Sequence, residues 1–279
     1  MIEGVNIKFV FWNIYKKNLI GPIVQIILEN NVDIIALAET ETLDVQAVLN
    51  SLKLQTYDWK VVEICPETDI CLLAKSNIHI SVYKEEKRFA TYKIYCGEEV
   101  YLFSVVHLAS PMFLDEHARD MRAINISQVL RKMEEDVYGK TEYKSIIVGD
   151  FNLQPYSQGI SSVYGFNATM SISKAKKIVR QIDGENKHFY FNPTWKLMGD
   201  NCMVQGTYYN NSDQQEKSIF WYSFDEVLIR PYFIDGFNWK YFGIVEKTDK
   251  LSFVNNDIID KNNYSDHLPI RFEICVEEN

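Results

Sequence analysis

The stretch Ser145-Ile146-Ile147-Val148-Gly149-Asp150-Phe151-Asn152 decides the reading of the fold. Residues 145–148 form a short apolar run rich in β-branched side chains, which reads as a strand buried in a sheet. Gly149 permits a turn there, and the turn presents Asp150 and Asn152 at the sheet edge. The same pattern recurs toward the N-terminus. Residues 32–38 are almost continuously apolar and end in Glu39, as expected of a strand covered on both faces that delivers one polar residue at its end. Residues 5–12 alternate apolar side chains with Asn6 and Lys8 and run out at Asn13.

Working outward, residues 20–29 and 43–52 carry apolar positions at helical spacing. The longest helical pattern spans 113–137, with Met121, Ile124, Ile126, Val129, Leu130 and Met133 expected on its core face. Short strands are expected at 59–64, 70–74, 78–83, 89–95 and 100–106, with Cys96-Gly97-Glu98 as a hairpin turn. Strand patterns return at 224–229, 238–245 and 268–276. Strands interspersed with helices, without strict alternation of the two, predict an α+β fold in which two packed β-sheets carry helices on their outer faces.

The chain has 279 residues, 47% hydrophobic and 14% aromatic, enough apolar surface for a substantial core. No linker composition divides it, so one domain over 1–279 is expected. A net charge of −9 excludes a protein that coats nucleic acid through a general basic field, so a polyanionic substrate must be held locally. The five cysteines, Cys65, Cys71, Cys96, Cys202 and Cys275, are scattered and lack a C-x-x-C pair, which points to reduced thiols rather than disulfides or a zinc knuckle. No basic, then apolar, leader opens the sequence and no apolar run reaches membrane-spanning length. A cytoplasmic protein without a membrane span is the resulting expectation.

Polar residues repeatedly terminate apolar strands: Asn13, Glu39, His107, Asp150 with Asn152, Asp225, and Asp266 with His267. A carboxylate at one strand end is commonly a turn residue, and His267 could simply cap the turn before Leu268-Pro269. The recurrence has a chemical reading. Hydrolysis of a phosphate ester needs an activated water, compensation of charge on the non-bridging oxygens, and stabilisation of the leaving alkoxide. Glu39 and Asp266 could hold Mg²⁺ or Mn²⁺, which take oxygen ligands. Asp150 and Asn152 could orient the water. His267, its imidazolium favoured by Asp225, could stabilise developing negative charge.

The same positions carry a resemblance. Trp12-Asn13, Ala38-Glu39-Thr40, Val106-His107-Leu108, Gly149-Asp150-Phe151-Asn152, Phe224-Asp225-Glu226-Val227-Leu228 and Ser265-Asp266-His267-Leu268-Pro269 occur in the order seen in the endonuclease/exonuclease/phosphatase superfamily. The likeness runs from Asn13 to Pro269. It implies a four-layered α/β/β/α sandwich with a cleft at the strand ends. By position, Asn13 and Glu39 resemble the first metal-side pair, Asp266 the remaining acidic ligand, and Asp150 with Asn152 the water- and phosphate-positioning pair. Asp225 and His267 resemble the carboxylate–histidine dyad. His107 resembles the second histidine of the deoxyribonuclease, sphingomyelinase and phosphatase branches. The sequence lacks the inositol-polyphosphate phosphatase signature, and Glu41 stands where deoxyribonuclease-like patterns can carry an arginine for DNA.

Specificity is expected to reside in an insert around 156–220. There Lys174, Lys176, Lys177 and Arg180 form the densest basic cluster, and Phe189, Tyr190, Phe191, Trp195, Tyr208 and Tyr209 could stack on bases or fill the core. Three functions are compatible with these features. One is a metal-dependent nuclease acting on DNA or RNA. Another is a phosphatase or phosphodiesterase acting on a nucleotide, inositol phosphate or phospholipid headgroup. The third is a catalytically silent scaffold that binds a partner.

Overall fold

The computed structural model describes residues 4–55, 58–65, 69–110, 114–139, 142–199, 204–210, 212 and 218–277. Its first half contains β1 (Gly4–Asn13), α1 (Ile20–Glu29), β2 (Ile34–Ala38), α2 (Val45–Lys53), β3 (Trp59–Cys65), β4 (Ile70–Lys75), β5 (His79–Glu86), β6 (Phe89–Cys96), β7 (Glu99–His107), α3 (Glu116–Tyr138) and β8 (Ser145–Asp150). One six-stranded sheet has the order Gly243–Ile244, Ile270–Glu277, β1, β2, β4, β3. A seven-stranded sheet has the order β5, β6, β7, β8, Asp225–Ile229, Tyr190–Phe191, Ala168–Thr169.

Side-chain alternation along the strands dictates the layers. In β1, Ile7, Phe9 and Phe11 face the other sheet, whereas Val10 and Trp12 join the layer beneath α1 and α2. In β8, Ile146 and Val148 point between the sheets and Ile147 points outward beneath α3; Val227 and Leu228 divide in the same way. Phe9 stacks on Phe272 within its own sheet at 4.7 Å and meets Phe103 of the opposite sheet at 5.1 Å. Three apolar layers therefore separate four structural layers, and the architecture is an α/β/β/α sandwich of the α+β class.

The helices start where their caps permit. Asp44 accepts from Ala47 N at α2, Asp115 accepts from Ala118 N at α3, and α3 stops at Gly139, whose φ is 65°. The core face of α3 differs from the periodicity reading. Met121 is 46% exposed, and the buried face is Asp120, Ala123, Ser127, Leu130, Met133 and Glu134. Two acids take core positions because each has a partner: Asp120 accepts from Gly159 N, and Glu134 pairs with buried Arg230. The expected strand 238–245 reduces to Gly243–Ile244. Asn238 instead closes a turn, its side chain accepting from Lys240 N and Tyr241 N, and Trp239 and Phe242 pack on Phe237.

Cys71, Cys96 and Cys275 are in no disulfide; Cys202 and the Cys65 side chain lie outside the described residues. Burial pushes the Cys71 thiol up to about 12, which keeps it unreactive. Among the described residues no helix is long and apolar enough to cross a membrane.

Candidate active site

Strand register converts five distant polar residues into neighbours. Parallel pairing of β1 with β2 sets Asn13 beside Ala38, so Glu39 emerges next to it. Parallel pairing of β7 with β8 sets His107 beside Asp150, and antiparallel pairing sets Asp225 on the other side of Asp150. The strand ends of the two sheets meet here: Asn13 Nδ2 donates to Glu39 Oε1 at 3.2 Å and to Asp150 Oδ2 at 3.1 Å. Glu39, His107, Asp150, Asn152, Asp266 and His267 all line one open cleft of about 1060 Å³.

Gly149 has a different reason from the turn that its sequence context implied. It lies within β8, not beyond it, and a Cβ there would come within 1.9 Å of the Val106 carbonyl oxygen. The glycine lets β7 and β8 approach closely enough to bring His107 and Asp150 abreast. The turn itself falls at Asn152, which adopts φ 50°. Asn152 Nδ2 donates to Asp150 Oδ2 at 3.0 Å and to the Leu108 carbonyl at 3.1 Å, while its backbone N donates to Asp150 Oδ1 at 2.8 Å. Glu39 has a similar left-handed backbone, φ 55°. Non-glycine residues rarely take that conformation, and it is maintained at both positions where the side chain enters the cleft.

The His267 loop is held from below. Trp12 Nε1 donates to the His267 carbonyl at 2.8 Å, and Ser265 Oγ donates to the Asn13 carbonyl at 2.5 Å while accepting from His267 N at 3.0 Å. The Trp-Asn pair thus joins the first strand to the last loop. His267 Nδ1 lies 2.8 Å from Asp225 Oδ2, and its Nε2 lies 3.9 Å from Asp150 Oδ2. The Tyr208 ring covers the imidazole at 5.0 Å.

Charge follows from this packing. Burial opposes the imidazolium of His267, but Asp225 and Asp150 outweigh it and push the group up to about 10. Burial, together with Asp225 and against the two histidines, raises Asp150 to about 6. Burial also raises the Asp266 carboxyl. Glu39 goes the other way: burial would raise it, but the hydrogen bond from His107 and the imidazole's charge hold it low, and His107 is raised in return. The Glu39 Oε1–His107 Nε2 distance is 3.5 Å.

Two groupings could hold a cation. Asp150, Asp225 and His267 offer ligand atoms within 4.8 Å of one another. His267 Nδ1 is already committed to Asp225 there, which makes that trio a hydrogen-bonded relay more readily than a ligand cage. On the other side, Glu39 and Asp266 supply oxygens alone, and Asp266 Oδ1 is buried with no hydrogen-bond partner. An orphaned buried carboxylate oxygen on a cleft wall fits a hard divalent cation. Asn13 tethers the two walls through its Nδ2, which donates to Glu39 and Asp150, while its Oδ1 accepts from Tyr15 N at 3.0 Å.

The specificity features of the insert are mostly elsewhere. Lys174, Lys176, Lys177 and Arg180 do not line the cleft; Lys176 pairs with Asp235 and Arg180 sits over the Phe189 ring. Phe189, Tyr190 and Phe191 are buried in the core and Tyr209 packs on Trp221, so of the six aromatic residues singled out only Tyr208 reaches the cleft. Among the described residues the cations that do line it, Lys16, Arg88, Arg119 and Lys261, come one each from four separate segments of the chain.

No family model matches the chain, and no curated protein matches it. Solved structures do. TDP2 from Caenorhabditis elegans superposes with a TM-score of 0.59 at 17% identity, covering 99% of this chain and 76% of that one. An endonuclease/exonuclease/phosphatase family protein from Bacteroides thetaiotaomicron gives 0.53 at 14% identity over 99% of this chain and 100% of that one. A mannosyl-6-phosphatase from the same organism gives 0.55 at 14% identity over 96% and 99%. The chain shares their fold.

Proposed function

We propose that this chain, built on the endonuclease/exonuclease/phosphatase fold, is a divalent-metal-dependent phosphoesterase that cleaves phosphodiester bonds in DNA or RNA. The observation that carries the reading is the convergence of Glu39, His107, Asp150, Asn152, Asp266 and His267 on one cleft, with Asn13 hydrogen-bonded to Glu39 and Asp150, and Asp225 to His267. Glu39 and Asp266 would hold Mg²⁺ or Mn²⁺, which supplies charge compensation at a phosphoryl oxygen when bound. Asp150, ionised at neutral pH and fixed by Asn13 and Asn152, orients the attacking water and accepts its proton. His267, kept protonated by Asp225, donates toward a non-bridging phosphate oxygen and stabilises the charge that develops there. His107 stands beside Glu39 and presents a second donor to the same cleft. The leaving oxygen departs as an alkoxide and takes up a proton from solvent, and Asp150 returns the proton of the water to solvent, which completes the hydrolysis.

A second reading, a phosphatase or phosphodiesterase on a nucleotide, inositol phosphate or lipid headgroup, draws support from the acidic rim. Glu41 pairs with Lys16 at 2.8 Å and thereby offsets a cation that would otherwise face a nucleic-acid backbone. Purified protein with Mg²⁺ or Mn²⁺ should cleave single- or double-stranded DNA or RNA. Free phosphate from small phosphate esters, with every nucleic acid left intact, would replace the nuclease assignment by the second reading.

A further inference from the structure

Among the described residues two exposed aromatic rings reach the cleft, one from each sheet. Tyr15, two residues beyond Asn13, is 49% exposed; Tyr156, on the loop after β8, is 46% exposed, and both line the cleft. Neither is loosely placed. Tyr15 and Lys16 are consecutive non-glycine residues at φ 50° and 53°, a costly conformation that persists only when its surroundings impose it. Here Asn13 Oδ1 accepts from Tyr15 N, the Glu39 carbonyl accepts from Lys16 N at 3.0 Å, and Thr42 Oγ1 donates to the Lys16 carbonyl. The next residue anchors the turn, its Lys17 ammonium donating to the carbonyls of Lys261, Asn262 and Tyr264. Tyr156 is backed by the Trp195 ring at 6.2 Å.

The cleft's charges do not explain why rings are fixed there. Lys16 is paired with Glu41, and Arg119 donates to the Asn152 carbonyl, so two of the four lining cations are already engaged. A net charge of −9 supplies no general field for a polyanion. Affinity for a nucleic-acid strand must then come in good part from its bases, whose faces stack on aromatic side chains. The Asn13–Asp150 contact joins the two strand ends from which the segments of Tyr15 and Tyr156 leave, and both rings line the cleft that holds Asp150 and His267.

We infer that Tyr15 and Tyr156 are stacking platforms for the bases on either side of the scissile phosphate, and that the substrate is a single-stranded nucleic acid. This rests on the phosphodiesterase reading above. A duplex hides the base faces in its own stack, so it cannot use both platforms without being opened.

The test compares a single-stranded oligonucleotide with the same backbone carrying tetrahydrofuran residues in place of nucleosides, using the parent, Tyr15→Ala, Tyr156→Ala, Tyr15→Phe and Tyr156→Phe. The ratio of kcat/KM between the two substrates should fall about tenfold in each alanine variant, the effect of losing one base stack, and hold in the phenylalanine variants. The parent should prefer the single strand to its duplex by at least about tenfold. An unchanged ratio in both alanine variants, a loss shared equally by the phenylalanine variants, or equal cleavage of duplex and single strand would overturn the inference. Fluorescence anisotropy of the labelled oligonucleotides separates it from the reading beneath: base-dependent binding without hydrolysis would sink the phosphodiesterase and keep the platforms, whereas hydrolysis without base dependence would do the reverse.

Discussion

The indole Nε1 of Trp12 donates a 2.8 Å hydrogen bond to the backbone carbonyl of His267, across 255 residues of sequence. Trp12 is fully buried in the layer beneath α1 and α2, so this bond seats the C-terminal loop of the cleft on the outer core of the first sheet. Trp12→Phe retains most of the apolar volume and leaves the carbonyl unpartnered. It should lower stability by about 1–3 kcal/mol and lower turnover further than the loss of folded protein explains. Urea denaturation read beside activity per folded molecule checks this. Unchanged turnover would show that the His267 loop does not depend on the bond.

Asp225 sets the charge of His267. In the metal-free protein, Asp225→Asn should move the imidazole down from about 10 toward its ordinary 6.5, which an NMR titration of the ring measures directly. The sign follows from linkage. A histidine raised on folding contributes stability that is complete below about 6.5 and lost as pH climbs through about 10, so the variant should forfeit stability below that window and little above it. The alkaline limb of the activity profile should move to lower pH as well. An unshifted imidazole would dissolve the dyad.

Behind Asp225 lies a second carboxyl with a different consequence. Glu226 is fully buried, accepts from Asn192 Nδ2 at 2.5 Å, and has Oε1 without a partner. Burial holds this carboxyl well above the ordinary 4.5, so the folded chain keeps a proton that the unfolded chain releases. Stability attributable to it is complete below about 4.5 and declines as pH rises, by about 1.4 kcal/mol per unit until the folded group also ionises. Glu226→Gln keeps the acceptor for Asn192 and removes the titration. The variant should match the parent at about pH 4 and exceed it at about pH 8 in denaturant midpoint; a lower midpoint at the higher pH would contradict the assignment.

The buried ion pair behind the second sheet is a stability feature apart from the chemistry. Arg230 and Glu134 are each 2% exposed, Arg230 Nε donates to Glu134 Oε1 at 2.7 Å, and the guanidinium carbon lies 3.5 Å from the Tyr190 ring centre. Glu134→Gln leaves an uncompensated buried cation and should cost about 3–5 kcal/mol, and replacing both residues by methionine should recover part of that loss. Equal stability of the single variant and the parent, by chemical denaturation, would refute it.

The sandwich and the meeting of strand-end polar residues at its candidate site were readable because burial leaves marks in sequence. An apolar run that stops abruptly in a carboxylate, as at Ala38-Glu39 or Val148-Gly149-Asp150, tells where a covered strand reaches an edge. What apolar pattern cannot report is partnership. Met121 sits at a helical position that looks internal, yet the internal acids Asp120 and Glu134 displace that face because they find Gly159 N and Arg230. The alternation of Trp239 and Tyr241 with Lys240 mimics a strand although Asn238 turns the chain. Tyr15 and the cleft cations Lys16, Arg88, Arg119 and Lys261 arrive singly from separate elements, so only the folded chain assembles them. The basic run at Lys174–Arg180 had the opposite fate: conspicuous in sequence, it lies off the cleft.

A divalent cation shared by Glu39 and Asp266 is the claim on which the chemistry stands. Calorimetric titration of Mn²⁺ into the parent, Glu39→Gln and Asp266→Asn tests it most directly. Saturable binding to the parent, weakened at least about tenfold in each variant as expected when a direct ligand is lost, is the predicted result. Absence of binding to the parent, or equal affinity in all three proteins, would contradict it.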